Sequence, residues 1–214
     1  MRIITGIIGI ILFCCTGPAY SQQEVDLAKA LHDQQLTAMN RTLVPYGDQT
    51  KAVEMNAAMG DGLAILQGTG FETGTIEVEL LGENSPGRSF IGIAFNIEDA
   101  ATYEAVYFRP FNFVAPAQIN RDHMVQYICH PDFTWSRLRE EHTGVFENEI
   151  PDPPDPDDWF KAVIKVTATS VEVRVDGIAS PVLEVERLNT TKSGKIGLWV
   201  GNGSSGRFRN LVLL

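Results

Sequence analysis

Short runs of alternating apolar and polar residues constrain the fold of this chain more than any other feature. From residue 50 onward about eleven such runs follow one another, separated by clusters of glycine, proline, asparagine and aspartate. A period of two residues is typical of β-strands with one buried face. No helical pattern separates the runs and no fixed repeat period relates them. The sequence therefore predicts an all-β sandwich of two antiparallel sheets, with at most a short N-terminal helix.

The firmest of these strand predictions lies between residues 159 and 188. Ala162, Ile164 and Val166 alternate with polar residues, which predicts a strand with one buried and one solvated face. Residues 171–176 alternate in the same way and end at an Asp-Gly dipeptide, a strong signal for a tight turn. Another alternating run follows the turn, so we expect consecutive antiparallel strands here.

Residues 1–21 have the pattern of a signal peptide. Arg2 supplies the positive charge, an apolar run follows, and Ala19 and Ser21 are the small residues of a cleavage site before Gln22. We therefore expect an exported protein that is periplasmic, extracellular or held at the cell surface, with no transmembrane span after cleavage. A lipid anchor at Cys14 or Cys15 is the alternative.

The chain after the cleavage site has the length of one domain. We divide it into an N-terminal segment, residues 22–40, with a weak helical pattern, and a sandwich domain, residues 41–214. Cys129 is the one cysteine left after cleavage, so no intramolecular disulfide is expected, which favours a bacterial periplasm or surface. A buried, unreactive thiol is the preferred interpretation of Cys129.

The charge balance narrows the class of ligand. The formal net charge is −10 at pH 7 and the sequence has no basic run, which argues against nucleic acid and anionic membrane surfaces as partners. An acidic protein is compatible with neutral ligands such as sugars, and with divalent cations. The sequence carries no signal for an oligomeric state.

An aromatic strand that ends in an arginine is the first candidate binding feature. On residues 103–109, Tyr103, Tyr107 and Arg109 share one face. Val106 and Phe108 share the other, which we predict to be the core face. Flat rings cover the apolar faces of sugars, and a guanidinium fork binds hydroxyls or carboxylates. In the alternative, Arg109 pairs with an acidic neighbour such as Glu147 and the tyrosines only cover a sheet.

The sequence also contains candidate catalytic groups. Residues 123–144 hold three of the four histidines, but their spacing does not fit a zinc site. Tyr127 and His130 are candidates for base and acid, with Arg109 neutralising a carboxylate of an acidic polysaccharide. Glu77 and Glu79 share one strand face and are a candidate glycosidase pair, although alternating Glu residues are also ordinary on a solvated face.

One acidic, proline-rich loop spans residues 146–160. Its carboxylates offer a possible structural calcium site, because hard cations bind clustered oxygens; the candidate ligands are Asp152, Asp155, Asp157 and Asp158. A solvated connection stiffened by its prolines is the preferred interpretation of the loop. We expect no other cofactor.

The assembled pattern resembles a known superfamily. The segment GTGFETGTIEVELLG, the strands around residues 90–113 and the ending SGKIGLWVGNGSSGRFRNLVLL are similar to the concanavalin A-like lectins and glucanases. Within that group the sequence looks closest to laminin G-like and keto-disaccharide-hydrolase-type domains of exported bacterial proteins. The matching C-terminal residues are Gly194, Ile196, Gly197, Leu198, Trp199, Gly206, Phe208, Arg209, Asn210 and Leu211.

The resemblance implies a jelly roll of two curved sheets whose concave face binds ligands. It would place Tyr107, Arg109 and Tyr127 on the concave face, with Trp135 and Arg139 on an overhanging loop. Glycosidases of this fold carry a Glu-x-Asp-x-x-Glu strand, and the nearest match, residues 77–82, lacks the last Glu. An exported glycan-binding module is therefore the first expectation; a glycan hydrolase or lyase and a structural or adhesion module are the alternatives.

Overall fold

The computed structural model describes residues 22–47, 51–189 and 194–214. The expected signal peptide and the candidate lipidation cysteines lie outside the described residues. The described residues form fifteen strands and four short helices. The strands are β1 (Gln23–Val25), β2 (Leu36–Met39), β3 (Leu43–Tyr46), β4 (Ala52–Met55), β5 (Gly62–Phe71), β6 (Gly74–Leu81), β7 (Ile91–Ile97), β8 (Tyr103–Phe108), β9 (Val125–His130), β10 (Glu147–Asn148), β11 (Phe160–Val166), β12 (Ser170–Val175), β13 (Leu183–Glu186), β14 (Gly194–Val200) and β15 (Gly206–Leu213). The helices are α1 (Leu27–His32), α2 (Pro110–Phe113), α3 (Gln118–Arg121) and α4 (Trp135–Glu141).

The strands form two sheets, and every described pairing is antiparallel. One sheet has eight strands in the order β13-β12-β11-β6-β15-β4-β3, with β1 added beside β15. The other has seven strands in the order β10-β9-β8-β7-β14-β5-β2. The predicted two-sheet antiparallel sandwich is confirmed.

The core lies between the two sheets and follows the predicted alternation. In the β11–β12 hairpin, Ile164 pairs with Val173 and both are buried, as the sequence predicted. The ring of Phe108 on β8 packs against that of Phe160 on β11, with 5.2 Å between centroids. Phe108 therefore points toward the other sheet, and Tyr107, its neighbour on β8, points away from it.

The N-terminal segment is part of the sandwich. β1 pairs with β15 in one sheet, and β2 pairs with β5 in the other. Between them α1 begins after Asp26, whose side chain accepts a hydrogen bond from the Lys29 amide at 2.9 Å. Residues 22–40 therefore contribute one strand to each sheet.

Three helices that the sequence did not predict follow β8 and β9. They have four to seven residues each, too short for a helical period to be visible in the sequence. α4 begins after Thr134, whose hydroxyl accepts from the Arg137 amide at 3.4 Å. In the part of the chain that the structure describes, no helix has the length and apolar character needed to cross a membrane.

Candidate functional site

A pocket of about 570 Å³ lies on the outer face of the seven-stranded sheet, the face turned away from the other sheet. Its floor comes from strands, including Tyr107, Ile128 and Trp199, and its walls include residues of α2, α3 and α4. The short helices thus turn a sheet surface into a pocket.

Two aromatic rings form the floor. The centroids of Tyr107 and Trp199 are 4.8 Å apart, and Gly92 lies between these residues in the strand register. A Cβ atom on Gly92 would come within 2.1 Å of the Val106 carbonyl oxygen and 2.6 Å of the Tyr107 Cα. Only glycine therefore fits here, and the two rings close over it.

Arg109 lies beside this floor and is 4% exposed. Its Nη1 donates to the His123 carbonyl at 2.8 Å, and its Nη2 donates to the Tyr107 hydroxyl at 2.6 Å and to Gln126 Oε1. Burial lowers the pKa of Arg109, yet a guanidinium remains charged at neutral pH. Burial also raises the pKa of Tyr107 to about 12, so this hydroxyl stays neutral.

Glu147 on β10 is the acidic partner behind this end of the pocket, and it is 4% exposed. Arg139 donates to its carboxylate through Nε at 3.1 Å and Nη2 at 2.8 Å. Arg109 Nη1 is 3.9 Å from Oε2, and His123 Nδ1 is 2.8 Å from the same oxygen. Both predictions made for Arg109 therefore apply at once: it lines the pocket, and Glu147 is its acidic neighbour.

The other end of the pocket contains Asp61, Tyr103 and His130. The Tyr103 hydroxyl donates to Asp61 Oδ2 at 3.0 Å and accepts from Trp199 Nε1 at 3.2 Å. The His130 ring stacks on that of Tyr103, with centroids 4.9 Å apart. Burial lowers the pKa of His130, and the negative charge of Asp61 opposes that shift. Asp61 precedes β5 between two glycines, so the sequence indicated only a turn.

The structure brings together most of the predicted site residues. Tyr107, Arg109, Trp135, Arg139 and His130 all line the pocket. The Arg139 guanidinium carbon is 5.2 Å from the centroid of the Trp135 ring, which is on the exposed side of the pocket wall.

Tyr127 does not belong to this group, so its predicted role in binding or acid-base chemistry is corrected. It pairs with Val106 in register and therefore faces the other sheet, and it is fully buried. Its hydroxyl donates to Glu104 Oε1 at 2.7 Å, and Arg187 Nη2 donates to Oε2 of the same carboxylate at 2.6 Å. Ile128 and His130 are the β9 residues that line the pocket, and the buried Gln126, which the sequence did not indicate, accepts hydrogen bonds from Tyr107 and Arg109 on the same face.

The candidate carboxylate pair lies on the other sheet. Glu79 accepts from Arg209 Nε at 2.6 Å and from Asn210 Nδ2 at 2.7 Å. Glu77 contacts Lys161 Nζ at 2.5 Å. Both residues are on β6 and not on the strands that form the pocket floor, so the ordinary interpretation as ion pairs on a solvated face describes them.

Three carboxylates of the acidic loop accept hydrogen bonds from backbone amides. Asp155 Oδ1 accepts from the Asp157 amide at 2.9 Å, Asp157 Oδ1 from the Asn84 amide at 2.7 Å, and Asp158 Oδ1 from the Trp159 amide at 2.7 Å. Asp152 adopts a left-handed backbone conformation, with φ of 48°. Over the described ranges, no group of three or more His, Cys, Asp or Glu side chains is arranged to hold a metal.

Cys129 is free and buried, as expected for a structural thiol. Burial raises its pKa to about 12, and the nearby charge of Glu104 adds to that shift. The thiolate needed for nucleophilic chemistry is therefore disfavoured.

No protein-family model and no curated protein matches this sequence, but several solved structures are similar to the chain. The carbohydrate-binding module CBM66 from Bacillus subtilis superimposes with a TM-score of 0.61 and 14% identity, over 84% of this chain and 96% of that one. A Bacillus subtilis protein of unknown function with a galectin-like fold superimposes with a TM-score of 0.58 and 11% identity, over 89% of this chain and 94% of that one. The Ca²⁺-bound exoplasmic/lumenal domain of VIP36 superimposes with a TM-score of 0.54 and 8% identity, over 84% of this chain and 82% of that one. Together with the two-sheet architecture, these similarities show that the chain has the concanavalin A-like lectin/glucanase fold.

Proposed function

We propose that this chain is an exported carbohydrate-binding domain that holds a glycan in the pocket on the outer face of the seven-stranded sheet. The observation that carries the proposal is the aromatic lining of that pocket, in which the Trp135 ring is exposed on the wall and the buried Tyr107 and Trp199 rings form the floor beside the guanidinium of Arg109. Aromatic faces bind the apolar faces of sugar rings, and fixed polar groups orient their hydroxyls. The similar carbohydrate-binding module supports the proposal at the level of fold.

The wall of the pocket supplies a further aromatic surface. Trp135 is 51% exposed at the start of α4, and Arg139 of the same helix stacks on it. An exposed tryptophan that a neighbouring arginine holds in place is a suitable platform for a second sugar ring. The combination favours a glycan longer than one residue, and it favours a ligand pocket over a featureless adhesion surface.

The arrangement of acid and base groups favours binding over turnover. The trio of Tyr127, His130 and Arg109 is divided between the two faces of one sheet, because Tyr127 faces the core. The pair Glu77 and Glu79 lies on the other sheet and is engaged with Lys161 and Arg209. The groups that sequence patterns indicated for catalysis are therefore not assembled around one bond.

A matched pair of tryptophan substitutions tests the pocket. Residues 22–214 are screened against immobilised plant, algal, bacterial and animal glycans, and affinities for the best ligand are then measured by calorimetry. We expect Trp135→Ala to weaken binding about tenfold, the effect of losing one aromatic platform.

Trp159→Ala is the control for this test. Trp159 also lies under an arginine, but on the outer side of the other sheet. The Arg209 guanidinium carbon is 4.2 Å from the centroid of the Trp159 ring. The control should bind like the wild type. Equal loss in both variants, or wild-type affinity in Trp135→Ala, would contradict the assignment of the pocket.

Export is a separate part of the proposal and rests on residues 1–21. Expression of the full sequence in a bacterium, followed by mass spectrometry of the exported product, should find a chain that begins at Gln22. A product retained in the cytoplasm with its first residues intact would overturn this part and leave the binding proposal in place.

A further inference from the structure

The two ends of the pocket differ in charge. Arg109, Arg139 and His123 gather at one end around Glu147, whereas Asp61 lies at the other end with Tyr103 and His130. The charges that act on the His123 ring are those of Glu147, Arg139 and Arg109, and the charge that acts on His130 is that of Asp61. A ligand in this pocket therefore meets a cationic end and an acidic end.

Positive charge is in excess at the cationic end. Among the described residues, Glu147 is the carboxylate that faces both guanidiniums. Arg139 forms two hydrogen bonds with it, whereas the nearest Arg109 nitrogen is 3.9 Å away. Two cations therefore share one anion, and Arg109 is the less well paired of the two.

The hydrogen bonds of Arg109 do not remove this excess. They go to the His123 carbonyl, the Tyr107 hydroxyl and the Gln126 side-chain oxygen, all of which are neutral. Neutral acceptors satisfy N–H groups but leave the charge itself uncompensated, and an uncompensated buried charge is unfavourable. Burial lowers the pKa of His123, which favours the neutral ring, so His123 leaves the charge of this group unchanged.

The acidic end suits the hydroxyls of a sugar. Asp61 already accepts from the Tyr103 hydroxyl, and its side chain lines the pocket beside Trp199. Carboxylates accept hydrogen bonds only, so a sugar hydroxyl that donates is a favourable partner. An anionic group placed at this end would be repelled, which fixes the orientation of a charged ligand.

We infer that the pocket selects a sugar with one anionic group, a carboxylate or a sulfate ester, which lies near Arg109 and Arg139 while hydroxyls face Asp61. The inference rests on the proposed function and names the class of glycan. It also resolves the conflict between an acidic protein and an acidic ligand, because the local charge at Arg109 is opposite to the net charge of the chain.

Matched pairs of ligands test the inference. Oligomers of glucose and glucuronate, galactose and galacturonate, and mannose and mannuronate are compared by calorimetry with residues 22–214, together with galactan and sulfated galactan. For the sugar scaffold that binds, we expect the anionic member to bind at least about tenfold more tightly than the neutral one. This preference should fall as NaCl is raised from about 0.05 M to about 0.5 M.

The outcomes separate the two proposals. A neutral member that binds as tightly as its anionic counterpart overturns the inference and leaves the proposed function standing. Binding by neither member of any pair overturns the inference, whereas the proposed function is overturned only if no glycan of the broader screen binds. Preference for the uronate over the sulfated galactan, or the reverse, tells which anionic group the pocket accepts.

A charge-matched pair of variants on α4 locates the effect. Arg139→Gln removes one guanidinium and leaves Arg109 with Glu147, so the ratio of anionic to neutral affinity should fall to about one, even if loss of the contact with Trp135 weakens both members. Arg137→Gln makes the same change in charge at an exposed position paired with Glu141 at 3.0 Å, and it should leave the preference intact. Thermal unfolding of both variants checks that they remain folded. An unchanged preference in Arg139→Gln, or an equal loss in both, would contradict the inference.

Discussion

The outer faces of the two sheets carry similar residues in different electrostatic arrangements. On the eight-stranded sheet, Arg209 stacks on Trp159 and pairs with Glu79, and Arg207 stacks on the ring of Tyr46 and pairs with Glu54 at 2.9 Å. Each cation has its own carboxylate, and these groups are partly exposed. On the seven-stranded sheet, two guanidiniums share the buried Glu147.

The difference shows that residue type alone does not distinguish the face that carries the pocket. An arginine over an aromatic ring occurs on both sides, but only one of these sides is covered by the short helices between β8 and β10. Burial strengthens electrostatic interactions, so an unbalanced charge in the pocket has larger consequences than the same charge on a solvated sheet. Three predictions test this contrast.

Removing the shared carboxylate should have the largest effect. We expect Glu147→Gln to lower the free energy of unfolding by about 3 kcal/mol, because two guanidiniums then lose their buried counter-charge. Glu79→Gln, the same change on the partly exposed face, should lower it by less than about 1 kcal/mol. Urea unfolding of both variants measures the difference. Similar values for the two substitutions would remove the energetic distinction between the faces.

A methyl group under the pocket floor should have the next largest effect. The Cβ of Gly92→Ala would meet the Val106 backbone oxygen at 2.1 Å, so strands must separate, and we expect a loss of about 2 kcal/mol. Gly206→Ala, on the other sheet, would meet the Cδ1 atom of Ile91 at 2.7 Å.

The end of the Ile91 side chain can move, so Gly206→Ala should lower stability by only about 1 kcal/mol. Thermal unfolding ranks the two variants, and glycan affinity should fall for Gly92→Ala alone. The reverse ranking would mean that the floor tolerates the extra volume.

The smallest expected effect is a dependence of stability on pH that arises at the pocket. In the folded protein burial lowers the pKa of His123 and of His130 below the ordinary value of 6.5. Below pH 6.5 the unfolded chain therefore binds more protons than the folded chain, and the free energy of unfolding falls as the pH falls.

Variants isolate these histidines from the carboxylates that titrate in acid. Between about pH 7.5 and about pH 5, the wild type should lose roughly half a kcal/mol more than His123→Gln or His130→Gln, a value reduced for solvent screening. Chemical unfolding at the two pH values gives the difference. If the wild type and each variant differ in free energy of unfolding by the same amount at both pH values, neither ring is held neutral by the fold.

The fold could be predicted from the sequence where one face of a strand is solvated. In the β11–β12 hairpin, Ile164 and Val173 are buried while Lys165 is exposed, so the alternation identifies both the strand and its inner face. The short helices were missed because their residues are too few to show a period, and because α4 begins with a cap that is common in turns as well.

Candidate site residues were predictable only in part, for the same physical reason. Every residue of β8 is buried, as are all residues of β9 except His130, because the helices cover the outer side of these strands. Alternation then no longer distinguishes core from pocket, so Tyr127 was assigned to the wrong face while Tyr107 and Arg109 were placed in the pocket. Asp61 lies in the loop before β5, far from β8 in the sequence, so no local sequence pattern connects the two.

The helical wall of the pocket has a consequence for the adaptability of this protein. α2 and α3 lie in the connection between β8 and β9, and α4 lies in the connection between β9 and β10, whereas the floor belongs to strands in fixed register. Connections tolerate changes in length and sequence that strands do not. If the pocket binds a glycan as proposed, a chimera that exchanges only residues 110–124 and 131–146 should alter the sugar preference and keep the sandwich, which would make ligand choice a separable, transplantable property.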